Sequence, residues 1–374
     1  MDRVKAQQFA RLQARLGEAS LANRPGNDID HLVIVLPSHS VAESLLAHYG
    51  PRVSALEHRY LVAHLLLHRL PRCDMVFLCS QAPEPEVLEY YDALGTAAGH
   101  PSAAGRFRTI VVDDGTFRPL SAKLLDRPDV LDQLSRLSAG RPALLQPWNV
   151  TDLEVEVALR LDVPLNGTSP DLWHLGYKSA GRTMMAAVGV PVPLGRENVR
   201  STAEVVEALE EIQQVQRDAL GAVVKLDDSA AGDGNVVIGL RGAAGARATR
   251  EELHDRVRAL PGWYLTELAN GGVVEELVTG PVFRSPSVQV HIDPFGEVSV
   301  LSTHEQVLGG DGGQVFLGCQ FPARPTPSPP CGICFPAPTT PRRDDGSWPT
   351  APAAATARPT TWWTCRGSDS PRRR

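Results

Sequence analysis

Four short apolar runs, spaced by helical patterns, constrain this chain most. They are HLVIVLPS (31–38), DMVFLCS (74–80), RTIVVDD (108–114) and PALLQPW (142–148). Each reads as a strand, and the first as a buried one. Between them the spacing predicts helical segments near 40–49 and 55–70, at 84–98 and at 121–138. Acidic residues open the 84–98 segment, which suits the positive end of a helix dipole. Strands that alternate with helices form a parallel sheet with the helices packed on it. Upstream, residues 1–20 have helical spacing, with Phe9, Leu12 and Leu16 on one face.

The turn after the first strand carries no cofactor chemistry. It reads PSHSVAES, with no glycines. A dinucleotide site needs G-x-G-x-x-G there, because only glycine lets the backbone approach a pyrophosphate. NAD and FAD are therefore excluded at that turn.

From about residue 166 the pattern changes. A helix is predicted over 170–188, stopped by Gly189 before VPVPLG. A second runs over 201–219, with Ser201 as N-cap and Glu204 completing a capping box. GAVVKLDD (221–228), VVIGL (236–240), WYLTEL (263–268) and GVVEELV (272–278) read as strands, and 249–259 as a helix. SAAGDGN (229–235) is a small-residue loop. RSPSVQVHID (284–293) and EVSVLSTHEQVLG (297–309), joined at DPFG, complete a mainly antiparallel set.

Composition divides the chain again. The 374 residues carry a net charge of −6. Residues 1–323 hold 29 Lys+Arg against 40 Asp+Glu, a net of −11. Residues 324–374 hold 8 against 3, a net of +5, with 11 Pro and no Leu, Val, Lys or Glu. An acidic body argues against nucleic acid as a partner. No run approaches the roughly 18 apolar residues of a membrane span. The first 20 residues lack the apolar centre of a signal peptide. These readings predict a cytoplasmic protein with no membrane partner.

Cysteine and histidine carry little signal. Cys73, Cys79 and Cys319 are widely spaced and read as buried apolar residues of a reducing compartment. Cys331-x-x-Cys334 is a lone pair with no second pair at metal spacing. His64 and His68 are four apart on a helical pattern, as a metal pair would be. No third ligand stands at suitable spacing, so they read, with His58, as the edge of an amphipathic helix.

The chemistry-bearing features lie after residue 170. Only four lysines occur, Lys5, Lys123, Lys178 and Lys225. Lys225 ends an apolar strand just before a loop containing Gly232 and Gly234. Lys178 opens a helix in GYKSAGR. Two ammonium groups and a loop of backbone N–H groups suit a triphosphate. A strand ending Glu275-Glu276-Leu277-Val278 offers backbone groups to an adenine edge. Singly, a strand-end lysine is more often a surface group with a buried stem; the order and spacing make the case.

In that order the sequence resembles the ATP-grasp ligases, and among them the peptide ligases of the pheganomycin-biosynthesis type with their pre-ATP-grasp domain. The matching pieces are IVLPSHS (34–40), LEHRYL (56–61), WNVTDLE (148–154), LGYKSAGR (175–182), GVPVPLG (189–195), VVKLDDSAAGDGN (223–235) and STHEQVLGGDGGQVFLGCQFPA (302–323). The resemblance implies an α/β fold: a helical extension (1–30), a Rossmann-like pre-ATP-grasp domain (31–165), an incomplete α+β ATP-grasp domain (166–323) and an irregular, disordered Pro/Arg-rich tail (324–374). It implies ATP and Mg²⁺ as cofactors. The partners would be a small-molecule carboxylate and an amine, each an amino acid or peptide, and a homodimer is compatible with it. By position, Lys178 and Lys225 would contact phosphates, Ser229 to Asn235, including Gly232 and Gly234, would cover them, and Glu275, Glu276, Leu277 and Val278 would hold adenine. His291, Thr303, His304, Glu305 and Gln306 would line the acceptor side, with His304, Glu305 and Gln306 as the catalytic candidates. A solvent-facing strand residue is the plain alternative for His291.

The sequence departs from this family after Ala323. The family continues with a helix, a strand bearing an acidic metal ligand, and a strand of the form Glu-x-Asn-x-Arg. Here Pro-rich sequence follows, whose only acids are Asp344, Asp345 and Asp369. A natural disordered segment is one explanation. A shifted reading frame in a GC-rich gene is the favoured one. The expectation is a chain that binds ATP weakly or not at all and ligates nothing. A non-catalytic ATP-binding or interaction protein derived from such a ligase is the alternative.

Overall fold

A computed structural model describes residues 2–41, 46, 50–229, 234–242, 245–280, 284–310 and 313–324. Most of the predicted 40–49 helix and all but the first residue of the 324–374 tail lie outside these. Helices α1 (Arg3–Gln13) and α2 (Leu16–Ala22) lead to strand β1 (His31–Leu36). Then come α3 (Val53–His58), a 3₁₀ segment (Arg59–Arg69), β2 (Cys73–Cys79), α4 (Pro85–Ala97) and β3 (Phe107–Val111). Helices α5 (Leu120–Leu125) and α6 (Pro128–Ser138), β4 (Ala143–Pro147) and α7 (Asp152–Leu161) follow. The four strands form one parallel sheet in the order β3-β2-β1-β4.

Both faces of this sheet are covered, which is why β1 is buried along its whole length. Leu32, Ile34 and Leu36 join Val76, Leu78, Leu145 and the helices of 120–161 in one cluster. Val33 and Val35 pack with Met75, Phe77, Leu61 and Leu67 on the other side. The two-residue side-chain period of a strand sends alternate residues to opposite faces. Phe9 and Leu12 of α1 enter the first cluster. Gln13 fastens the same helix by exchanging two 2.8 Å hydrogen bonds with the backbone of Leu165.

The second half begins with a 3₁₀ turn (Pro170–Gly176) and α8 (Lys178–Ala187). After them come β5 (Gly195–Arg196), α9 (Thr202–Val215), β6 (Gly221–Leu226), β7 (Asn235–Gly239), α10 (Arg250–Arg258), α11 (Gly262–Leu268) and β8 (Gly272–Glu276). The strands pair antiparallel in the order β5-β8-β6-β7. Ala222, Val224, Leu226 and Val274 face α9 to α11 across a core that includes Tyr264. Strands β9 (Pro286–Ile292), β10 (Val298–Gly309) and β11 (Val315–Gln320) make a separate antiparallel sheet. Many of its apolar residues, among them Val298, Val300, Leu317 and Phe321, are exposed among the described residues.

Several expectations are corrected here. WYLTEL (263–268) is a helix: Pro261 opens it, and Tyr264 and Leu268, one turn apart, enter the core. Burial at helical spacing overrides the strand preference of Trp, Tyr and Thr. The 121–138 helix is two helices, because Pro128 has no N–H to continue the first. The 170–188 and 55–70 segments each combine a 3₁₀ stretch with an α-helix. Ser201 caps Glu204 N, but the Glu204 carboxylate accepts from Arg200 N, so the capping box is half formed. A complete box at Thr151 and Glu154 holds α7 instead. Cys73 and Cys79 are buried, and burial pushes both thiols up to about 12; Cys319 is only half-buried.

His31 and His39 are held below their ordinary 6.5, chiefly by burial. A depressed folded pKa means the unfolded chain takes up protons first as the pH falls. Their contribution to stability is full above about pH 6.5 and is lost as the pH drops below it. Thermal melts at pH 7.5 and 5.5 are expected to show a lower Tm at 5.5, with part of the difference removed by His31→Gln. Equal pH dependence in that variant would refute the assignment.

Candidate nucleotide site

Lys178 is the first residue of α8, where Tyr177 leaves the chain extended. Its ammonium donates to Leu226 O, Ser229 O and Ser229 Oγ, each at 2.8 Å. It thereby ties the helix start to the turn after β6. Burial lowers the Lys178 pKa, Asp227 and Asp228 oppose that, and Lys225 adds to it. Asp227 accepts from Ser179 N at 2.8 Å. Gly271, at φ +135°, leaves room for that carboxylate: a Cβ there would lie 2.6 Å from Asp227 Oδ2.

The register of β6 and β8 explains the rest. Val223 stands opposite Glu275, and Lys225 opposite Val273 and Asn235. Lys225, Glu275 and Asn235 therefore share the sheet face that does not enter the helical core. Lys225 ion-pairs with Glu275 Oε2. Oε1 of Glu275 takes a 2.7 Å bond from Arg182. Arg182 also binds Glu197 and Pro193 O, at 2.8 and 2.9 Å. Asn235 Oδ1 is buried without a hydrogen-bond partner among the described residues.

The structure thus brings together Lys178, Lys225, Ser229, Asn235 and Glu275, with Gly234 next to Ser229. Gly232 lies outside the described residues. Glu276 turns to the opposite face, where its carboxylate accepts from Leu194 N and Gln216. Leu277 N already donates to Gly221 O, and Val278 is exposed. His291, Thr303, His304, Glu305 and Gln306 stand on the β9-β10-β11 sheet. Strand alternation puts Thr303 and Glu305 on one face and His304 and Gln306 on the other. Glu305 holds Arg284 and Ser285 N, at 2.5 and 3.0 Å. His304 is buried beside Phe321, its Nδ1 without a hydrogen-bond partner among the described residues. His291 is exposed, which agrees with its plain alternative.

Over 266 residues the chain is 32% identical to the L-propargylglycine–L-glutamate ligase of Streptantibioticus cattleyicolor, a match covering 68% of this chain and 54% of the ligase. This match bears out the resemblance to the ATP-grasp ligases. The IQ motif-containing protein H of Danio rerio matches the chain at 23% identity, over 63% of the chain and 27% of that protein. The chain thus spans about half the length of the first relative and about a quarter of the second. No family model matches it. The ADP complex of an N5-carboxyaminoimidazole ribonucleotide synthetase shares a TM-score of 0.43 at 15% identity, over 80% of this chain and 59% of that one. A D-alanine–D-alanine ligase from Coxiella burnetii shares 0.38 at 13%, over 74% and 70%. Likenesses of that size say nothing of function. Among the described residues, no helix is long and apolar enough to cross a membrane.

Two charged residues escaped the sequence reading. Arg182 lies one turn after Lys178, and the spacing of GYKSAGR was the available signal. Lys123 is 1% exposed and donates to Ser80 Oγ and Asp114 O, both at 2.9 Å. It borders a cavity of about 230 Å³ beyond the carboxyl ends of β2 and β3, with Val53, Gln81 and Phe117. Burial pushes the Lys123 ammonium down and the neighbouring Glu57 carboxyl up.

Proposed function

We propose that this chain is an ATP-dependent carboxylate–amine ligase that holds ATP on the Lys178–Lys225 face, impaired here because the family's metal-binding strands do not follow Ala323. The observation that carries the reading is the convergence of two ammonium groups on the turn at Ser229, at the end of β6. That donor set suits a polyphosphate: cations for its charge and small residues for close approach. Magnesium accompanies the nucleotide on its phosphates. Among the described residues no cluster of three metal ligands stands here, so no step is assigned to a protein-held ion.

In the proposed reaction a carboxylate oxygen attacks the terminal phosphorus and ADP leaves, giving an acyl phosphate. An amine attacks the acyl carbon, phosphate leaves, and the amine proton passes to solvent. Nothing in this needs an enzyme nucleophile; positioning, charge stabilisation and water exclusion supply the catalysis. The ligase relative is named for two amino acids, which supports amino acids or short peptides as the substrate class. A cytoplasmic setting agrees with an ATP requirement.

Millimolar ATP with magnesium is expected to raise the Tm of the full chain, and Lys225→Ala to abolish that rise. A Tm unmoved by ATP in the unaltered chain would end the nucleotide reading. ADP release that requires both a carboxylate and an amine supports ligation. ATP stabilisation without such release supports the second reading, a non-catalytic nucleotide-binding protein.

A further inference from the structure

Away from the nucleotide site, the 3₁₀ segment Arg59–Arg69 packs on α4 and brings a third polar group to His64 and His68. That group is Asp92, 24 residues further along the chain than His68. One ligand atom from each of the three lies within 4.8 Å of the others. We propose that His64, His68 and Asp92 form a binding site for a divalent transition metal of the zinc class.

The surroundings are those of a prepared ligand set. His68 Nδ1 is 2.9 Å from Pro101 O. A carbonyl only accepts, so Nδ1 carries the proton and Nε2 keeps its lone pair. That nitrogen is 3.8 Å from Asp92 Oδ1. Among the described residues, His68 Nε2 and His64 Nδ1 are both buried without a hydrogen-bond partner. Leaving two such groups unpaired is costly, and an ion satisfies both. Asp92 is fixed by Ser102 Oγ at 2.7 Å and Ala103 N at 2.8 Å. Partners of this kind orient the ligands of a metal. Gly95 completes the packing: a Cβ there would lie 2.0 Å from His68 Nε2, so only glycine lets α4 approach the imidazole.

Two imidazoles and a carboxylate favour zinc over magnesium or calcium, which take oxygen ligands. Bonds of about 2.0–2.1 Å would draw the ligand atoms to about 3.3 Å apart, a movement within side-chain reach. His100, its ring centroid 6.0 Å from that of His68, is a further imidazole beside the cluster. The ion would clip the 59–69 segment to α4.

The test uses the full chain, stripped with a chelator and titrated with Co²⁺, then with Zn²⁺ as competitor. One equivalent of Co²⁺ is expected to give the visible absorption of a low-coordinate centre, discharged by Zn²⁺, and to raise the Tm. His68→Asn and Asp92→Asn should each weaken binding by about 100-fold or more, while Cys331→Ser with Cys334→Ser leaves it unchanged. Absence of the absorption in the unaltered chain overturns the proposal, whatever the variants do. So does full retention of it in a folded Asp92→Asn chain, or its loss in the cysteine variant alone.

Discussion

Replacing Arg182 with alanine is expected to lower the unfolding free energy by about 3–5 kcal/mol, the usual cost of removing one partner from a buried ion pair. The Arg182 side chain is 8% exposed and its guanidinium serves three acceptors. Glu275, 9% exposed, would keep Lys225 as its one remaining cation, and Pro193 O would lose its donor. The loss comes from the groups left behind, more than from the attraction removed. A combined Arg182→Met and Glu275→Gln chain should therefore recover part of it. Urea unfolding of the three chains measures this. A loss below about 1 kcal/mol for Arg182→Ala, the scale of an exposed pair, would show that the cluster is not buried in solution.

Lys178→Met is expected to weaken ATP binding by about 10- to 100-fold, the scale of hydrogen bonds from a charged donor. Without nucleotide, the Lys178 ammonium serves three oxygens of the β6 end. In the proposed complex it turns part of that capacity to phosphate. Methionine keeps the buried stem and removes the charge. The nucleotide-free Tm should fall modestly while the ATP-induced rise nearly disappears. A chain whose Tm falls but whose ATP response is unchanged would show that Lys178 is a structural clamp.

Both predictions concern one helix, α8, of which the sequence reading caught half. Lys178 was legible because lysine is rare here and because it opens a helix after a turn. Arg182 was not, since arginine is common in this chain and burial leaves no mark on composition. Glu275 and Glu276 looked alike as neighbours in a strand. Pairing with β6 separates them: Glu275 joins the two lysines, and Glu276 turns to Gln216 and Leu194. His304, Glu305 and Gln306 form one set of catalytic candidates in the sequence, yet strand alternation divides them between two faces.

The histidines make the same point more sharply. The i, i+4 spacing of His64 and His68 was visible, and the third ligand was sought nearby in sequence. Asp92 reaches them only because α4 packs on the 59–69 segment, with Gly95 permitting the approach.

The sequence by itself determined the alternation of strands and helices, the buried character of β1, the helix starts at Lys178 and Ser201, and the resemblance to the ATP-grasp ligases. These follow from local preference, periodicity and quoted motifs, which are properties of neighbouring residues. Tertiary structure alone decided which face each strand residue takes, that 263–268 coils against the core, and that Asp92 meets two histidines. Those depend on register and packing, where one residue of shift reverses every side chain and no stretch of sequence contains both partners.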